Sequence, residues 1–103
     1  MKYLLLPAML LTGCITNLQT ACNQYQDFKS VAQCTRGKVT AGNDDNDYIL
    51  AKTSVLEEQL TSGKISNAEA KLTYTEMLRG IDQKNIDTMA YLKSIQYVPK
   101  KKP

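Results

Sequence analysis

The sequence predicts an all-α fold: a small helical hairpin over about residues 45–62 and 67–94, with a short N-terminal helix over about residues 24–33. Apolar residues recur at helical spacing in these segments, and a turn signal separates the two longer ones. Two cysteines, Cys22 and Cys34, flank the short helix and are expected to staple it by a disulfide. At 103 residues, the chain has room for one domain.

The first element is an export signal over residues 1–13. Lys2 supplies a positive start, residues 3–11 are apolar, and the small residues Thr12 and Gly13 follow. This is the three-part layout of a signal peptide. As a helix, the apolar run would span only about 14 Å, about half the hydrocarbon core of a bilayer. We therefore do not expect it to be a permanent transmembrane helix.

The signal ends in a four-residue motif that resembles a bacterial lipobox: Leu11, Thr12, Gly13 and Cys14. The resemblance implies that Cys14 is lipidated and becomes the first residue of the mature protein, with acyl chains such as palmitate. Residues 14–23 would then be an acylated tether. Ile15 follows the cysteine, and by the sorting rules of that family it implies the outer membrane rather than retention at the inner one. An ordinary signal peptide or an N-terminal hydrophobic helix with a chance cysteine remains the alternative.

Cys22 and Cys34 are left as a pair once Cys14 carries lipid. The compartment beyond the inner membrane is oxidising, so a disulfide is expected. One continuous helix between them would hold the two Cα atoms about 18 Å apart, whereas a disulfide needs about 4.4 to 6.8 Å. Either the helix is short and Cys22 lies in a segment that folds back, or the thiols do not pair with each other. Two cysteines without histidine make a poor zinc site, and no metal is expected.

The first helix of the hairpin follows a predicted loop over residues 35–42. Three carboxylates stand at its start: Asp44, Asp45 and Asp47. The carboxylates do not form an EF-hand calcium loop, because the positions that such a loop fills with Gly and Glu are leucines here. The carboxylates are therefore interpreted as caps at the positive end of a helix. Gly63 is expected to end this helix in a left-handed conformation.

The second helix of the hairpin begins with a capping-box pattern, Ser66 and Glu69. Its predicted apolar stripe consists of Leu72, Leu78, Ile81, Met89 and Leu92. Gly80 interrupts the helix and marks a kink or a close contact, and the polar residues 82–85 are a place where it could break. The short connection makes the two helices antiparallel neighbours.

The hairpin sequence is similar to the SHOCT-type short helical module. The residues that match its pattern are Leu56, Leu60, Gly63, Ile65, Ser66, Glu69 and Leu78. The aromatic residue that usually follows the acid is replaced by Ala70. The resemblance implies a role in oligomerisation or binding rather than in chemistry.

Residues 98–103 are predicted to be a disordered basic tail, because Pro99 prevents a helix from continuing. Lys100, Lys101 and Lys102 are candidate contacts to an anionic membrane surface. A solvated end without such contacts is the alternative.

Composition argues against most chemistry. The chain has no histidine, and no spacing of Ser, Thr or Lys suggests a nucleophile with a base. Lys and Arg number 13 against 10 Asp and Glu, which is too even for a general nucleic-acid binder. No enzyme activity and no cofactor are expected.

The sequence therefore predicts a lipid-anchored, non-enzymatic protein of the bacterial envelope that acts through a protein partner or as a homo-oligomer. An assembly accessory, a pilotin-like protein or an exclusion protein would fit. The candidate partner-binding residues are Tyr74, Leu78, Ile81 and Tyr91, and the alternative for the tyrosines is a place in the core or at its edge. The alternative is a small envelope inhibitor or ligand-binding protein that uses the loop over residues 35–46.

Overall fold

The computed structural model describes residues 18–98, and this part of the chain is all-helical, as predicted. A π-helical turn at Leu18–Cys22, here called the N-terminal turn, precedes four α-helices. The helices are α1 (Phe28–Lys38), α2 (Asp44–Thr61), α3 (Asn67–Asp82) and α4 (Thr88–Ile95). The predicted leader, the lipobox and the lysines of the tail lie outside the described residues.

Helix α2 is capped at both ends, and its bounds agree with the helix predicted over about residues 45–62. Asn43 is the N-cap, and its side chain accepts a hydrogen bond from the Asn46 N–H at 2.9 Å, while the carboxylates occupy the first turn. Gly63 has φ +81° after the last turn, and the Lys64 N–H donates to the Gln59 carbonyl at 2.8 Å. This is the Schellman arrangement that favours glycine.

The start of α3 is the predicted capping box. The Glu69 N–H donates to Ser66 Oγ at 3.1 Å, and the Ser66 N–H donates to Glu69 Oε1 at 3.0 Å. Two backbone donors that a helix start leaves unpaired are thereby satisfied. The antiparallel pair α2 and α3 is the core of the predicted hairpin.

The predicted helix over residues 67–94 is in fact two helices, α3 and α4. Lys84 takes the left-handed conformation with φ 59°, and the Asn85 N–H donates to the Gly80 carbonyl at 2.8 Å, which closes a second Schellman turn. A Cβ on Gly80 would lie 2.7 Å from Ile86 Cγ1. Gly80 therefore gives the returning chain room to fold against α3, and the predicted close contact is with Ile86.

The first helix is displaced from its predicted position. It begins at Phe28 rather than near residue 24 and continues to Lys38, through part of the predicted loop. The Phe28 N–H donates to Asn67 Oδ1 at 2.9 Å, so α3 supplies the partner at this helix start. Near the other end, the Thr35 side chain is fully buried against α3. Packing against α3 outweighs the low helix propensity of Gly37.

The N-terminal turn belongs to the folded body and not to the tether. Leu18 and Cys22 are both 0% exposed, so the part of the predicted tether (residues 14–23) that the structure describes lies in the folded body. Cys22 and Cys34 form a disulfide with Cα atoms 5.4 Å apart. Cys22 lies in a turn that folds back onto α1, which resolves the geometric conflict between helix and disulfide.

The arrangement places α2 at the centre of the described body. It packs against α1, α3 and α4, whereas the N-terminal turn packs against α1. The Phe28 and Tyr74 rings meet edge to face at 5.8 Å between centroids, where α1 and α3 cross. Leu78, Ile81 and Leu92 of the predicted stripe are buried. Leu72 and Met89 are exposed, because α3 turns its Leu72 face to solvent and α4 is a separate helix with its own direction.

Candidate functional site

The predicted partner-binding residues are mostly core residues. Tyr74 and Leu78 are 0% exposed and Ile81 is 5% exposed, so none of the three presents a surface to a partner. That prediction is wrong for this fold, because the face of α3 that carries them packs against α1 and α2. Tyr91 is half-buried at the contact of α4 with α2.

Tyr91 is held by two residues of α2. Its ring meets that of Tyr48 edge to face at 4.7 Å between centroids, and Lys52 Nζ lies 5.2 Å from the Tyr91 centroid. Burial raises the pKa of both phenols, and the neighbouring Tyr91 raises that of Tyr48 further. Both tyrosines are therefore neutral at neutral pH, and they join α4 to α2.

A groove of about 480 Å³ opens beside this contact, between the start of α2 and the end of α4. It is lined by Asp44, Asp47, Met89, Leu92, Lys93, Gln96, Tyr97 and Val98. Leu92 is buried, whereas Met89 is 44% and Val98 79% exposed. Apolar side chains at the mouth of a groove that also carries charged groups are typical of a binding surface.

The polar side of the groove is fixed by Asp47. This carboxylate is 7% exposed and accepts a hydrogen bond from the Gly42 N–H at 3.0 Å. Burial raises the pKa of Tyr97, and the negative charge of Asp47 raises it further. Asp47 therefore ties the connection before α2 to the helix and lies beside the Tyr97 phenol.

Sequence reasoning missed this groove for identifiable reasons. Met89 falls on the predicted core stripe because one long helix is predicted where two exist, and Val98 falls in the predicted tail because of Pro99. The left-handed Gln96, with φ 52°, turns the chain back so that Tyr97 and Val98 lie beside α2. Nothing in the sequence near Gln96 marks this turn as a glycine would.

The loop proposed for the alternative function is shorter than predicted. Only residues 39–43 lie outside helices, because α1 extends to Lys38 and α2 begins at Asp44. Val39 is 5% exposed, and Asn46 Nδ2 donates to the Thr40 carbonyl at 2.8 Å. A short connection tied to α2 presents little that could enter a partner's active site.

Within residues 18–98 there is no cluster of three or more His, Cys, Asp or Glu side chains that could hold a metal ion. None of the described helices is long and apolar enough to cross a membrane. The buried side-chain oxygens without a hydrogen-bond partner in this part of the chain are Asn23 Oδ1 and Thr53 Oγ1. Neither residue lines the groove.

Comparison of the chain with protein-family models, with curated proteins and with solved structures gives no match. The resemblances to a lipobox and to a SHOCT-type module therefore remain predictions from the residues that carry them.

Proposed function

We propose that this protein is a lipid-anchored bacterial envelope protein, held on the outer membrane through Cys14, that binds a protein partner and catalyses no reaction. The observation that carries the proposal is the position of the lipobox. Its cysteine, Cys14, lies four residues before Leu18, which is buried in a disulfide-closed body. A tether of this length joins an acylated residue directly to a folded domain.

The disulfide supports the proposed compartment. Cys22 and Cys34 come together although their positions are 12 residues apart. Stable disulfides are characteristic of secreted and periplasmic proteins and are rare in the reducing cytosol. Export by the predicted leader would bring both cysteines into an oxidising compartment. Because they bond to each other, neither would compete with the lipid for Cys14.

The groove supports a protein partner. Met89 and Val98 expose apolar surface next to the charged groups of Asp44 and Lys93. An apolar side chain of a partner seated there would remove this surface from water, while the charged rim would fix its orientation. A second copy of this chain is the competing occupant.

The anchor is tested by comparing wild type with Cys14→Ser in cells. The mature wild-type protein is expected in the outer-membrane fraction, with the mass of a diacylglycerol-modified, acylated amino terminus at Cys14. Cys14→Ser is expected to leave the membrane fraction or to remain uncleaved. The matched control is Cys22→Ser with Cys34→Ser, which removes the disulfide and is expected to keep the lipid. Recovery of Cys14→Ser in the outer-membrane fraction at wild-type levels would refute the anchor.

The partner surface is tested by placing a photo-crosslinking amino acid at Met89 or Val98 in cells. One adduct of defined mass is expected from both groove positions. The matched control positions are Glu58 and Ser62, which are exposed at the other end of α2. Equal crosslinking from all four positions would contradict a partner at the groove, and an adduct of twice the protein's mass would identify a second copy as the occupant.

A further inference from the structure

We infer that the protein seated in the groove is a second copy of this chain, related to the first by a two-fold axis, with Asp44 of each copy meeting Lys93 of the other. Both residues line the groove between the start of α2 and the end of α4. The inference rests on the proposed function, in which the groove binds a protein, and it commits to one of the two occupants named there.

The groove carries one sign of charge on each of its two helices. Asp44 and Asp47 belong to the first turn of α2, whereas Lys93 belongs to α4. Asp47 is 7% exposed and is held by the Gly42 N–H, so Asp44 is the carboxylate that is open to an occupant. Lys93 is exposed as well. The groove therefore presents an accessible anion on one wall and an accessible cation on the other.

Neither of these two charges is paired with another residue of the described part of the chain. The ion pair within residues 18–98 joins Arg36 to Glu57. Asp44 and Lys93 line the same groove without forming an ion pair with each other. Both are therefore available to a charged group that enters the groove from another molecule.

This distribution of charge makes the surface complementary to itself. In a two-fold dimer, a residue that meets a second residue across the axis is met by its counterpart in return, so each copy supplies both members of the pair. A surface with accessible charge of one sign would repel its own copy, whereas Asp44 and Lys93 form two equivalent ion pairs. Exposed pairs add little affinity, and their main effect is to fix the register of the contact.

The apolar part of the groove supplies the affinity. Met89 is 44% exposed and Val98 is 79% exposed, and both line the groove together with the buried Leu92. Each copy contributes these two side chains to the contact, which removes both sets from water. A methionine side chain is flexible and fills irregular gaps, so Met89 suits a contact between two identical surfaces.

The test uses the full chain with its own leader, expressed in cells in two forms. One form carries a photo-crosslinking amino acid at Val98, and the other carries an epitope tag, so that an adduct of two chains is identified by its tag and its mass. The yield of this adduct is compared for wild type, for Asp44→Lys in both forms and for Lys93→Glu in both forms. A mixed pair combines Asp44→Lys in one form with Lys93→Glu in the other. The matched controls, Glu58→Lys and Lys29→Glu, reverse exposed charges that do not line the groove.

Wild type is expected to give the adduct of two chains. Asp44→Lys or Lys93→Glu in both forms places like charges opposite each other twice, so the adduct is expected to fall by about tenfold or more. The mixed pair has opposite charges at both contacts, and its adduct is expected to return to near the wild-type yield. Both control variants are expected to keep the adduct. Recovery in the mixed pair also shows that the two variants fold.

An undiminished adduct with Asp44→Lys or Lys93→Glu in both forms would overturn the inference. Loss of the adduct without recovery in the mixed pair would overturn it too. An adduct that joins Val98 to a different protein, with none of two chains, would also overturn it but would leave the proposed function intact, because the groove would still bind a protein. The mass of the mature amino terminus is measured in the same samples, and absence of lipid at Cys14 would instead overturn the proposed function.

Discussion

The hydroxyl groups of Thr35 and Tyr74 lie 2.5 Å apart inside the core and join α1 to α3. Thr35 Oγ1 also donates to the Val31 carbonyl at 2.8 Å, which uses its one proton. Tyr74 is therefore the donor in the pair, and each hydroxyl is satisfied although both residues are 0% exposed. This bond explains how a helix can continue through the predicted loop.

The first prediction concerns this pair. Tyr74→Phe removes one hydrogen bond and is expected to lower the free energy of unfolding by about 1 kcal/mol. Thr35→Val leaves the Tyr74 hydroxyl buried without a partner and is expected to cost about 2 kcal/mol. Adding Tyr74→Phe to Thr35→Val should restore part of the loss. Urea unfolding of the four proteins gives the coupling, and strictly additive losses would contradict the proposed bond.

The second prediction concerns the disulfide. Replacing Cys22 and Cys34 by alanine is expected to lower the free energy of unfolding by about 3 kcal/mol. The reason is that the unfolded chain gains conformational entropy when the two positions, 12 residues apart, are no longer joined. Hydrogen exchange should accelerate most in the N-terminal turn, whose contacts are chiefly to α1. Wild type under reducing conditions is the control and should behave like the variant. An unchanged turn with accelerated exchange only in α4 would contradict the described packing.

The third prediction concerns Gly80 and Ile86. Gly80→Ala places a methyl group against the Ile86 side chain, and overpacking is expected to cost about 1 to 2 kcal/mol despite better helix propensity. In an Ile86→Ala background the clash is gone, and the same Gly80→Ala change should stabilise α3 by up to about 1 kcal/mol. Thermal unfolding of the four proteins measures the cycle. The same sign in both backgrounds would show that Ile86 is not the obstacle.

The fourth prediction concerns alkaline pH. Burial raises the pKa of Tyr74 above its ordinary value of 10.0, and the hydrogen bond with Thr35 offsets part of this increase. Tyrosine thus keeps its proton in the folded state at a pH where the unfolded chain releases it. The stability that this difference supplies is complete below pH 10.0 and is lost as the pH rises through the folded-state pKa.

Urea midpoints measured across that range check the fourth prediction. Wild type is expected to lose stability as the pH rises, and Tyr74→Phe should lose less over the same interval because one of the buried phenols is gone. An identical loss in both proteins would exclude Tyr74 as a contributor and leave Tyr48, Tyr91 and Tyr97.

Local signals in the sequence located the turn of the hairpin accurately. The turn between α2 and α3 was predictable because its signals are local. Gly63 adopts a left-handed φ after α2, and Ser66 and Glu69 cap the start of α3 reciprocally. The disulfide was also predicted, because the expectation that Cys14 carries lipid leaves Cys22 and Cys34 as a pair. The predicted lipobox is a local signal of the same kind, and it lies outside the described residues.

Long-range contacts decided the rest. The extension of α1 depends on Thr35 meeting Tyr74, 39 residues away, and its start depends on Asn67. The break before α4 depends on Lys84 adopting a conformation that its residue type does not favour, with Ile86 packed in the space that Gly80 leaves. The groove formed at the end of α4 follows from that break.

The sequence by itself determined an all-helical body, its central turn and its disulfide, because capping, glycine geometry and cysteine pairing act locally or by elimination. Only the tertiary structure decided that Tyr74, Leu78 and Ile81 are core residues, while Tyr25, Leu72, Met89 and Val98 face outward. Helical spacing specifies which residues share a face but not which face packs inward. The buried face of each helix is decided by how α1, α3 and α4 pack against α2.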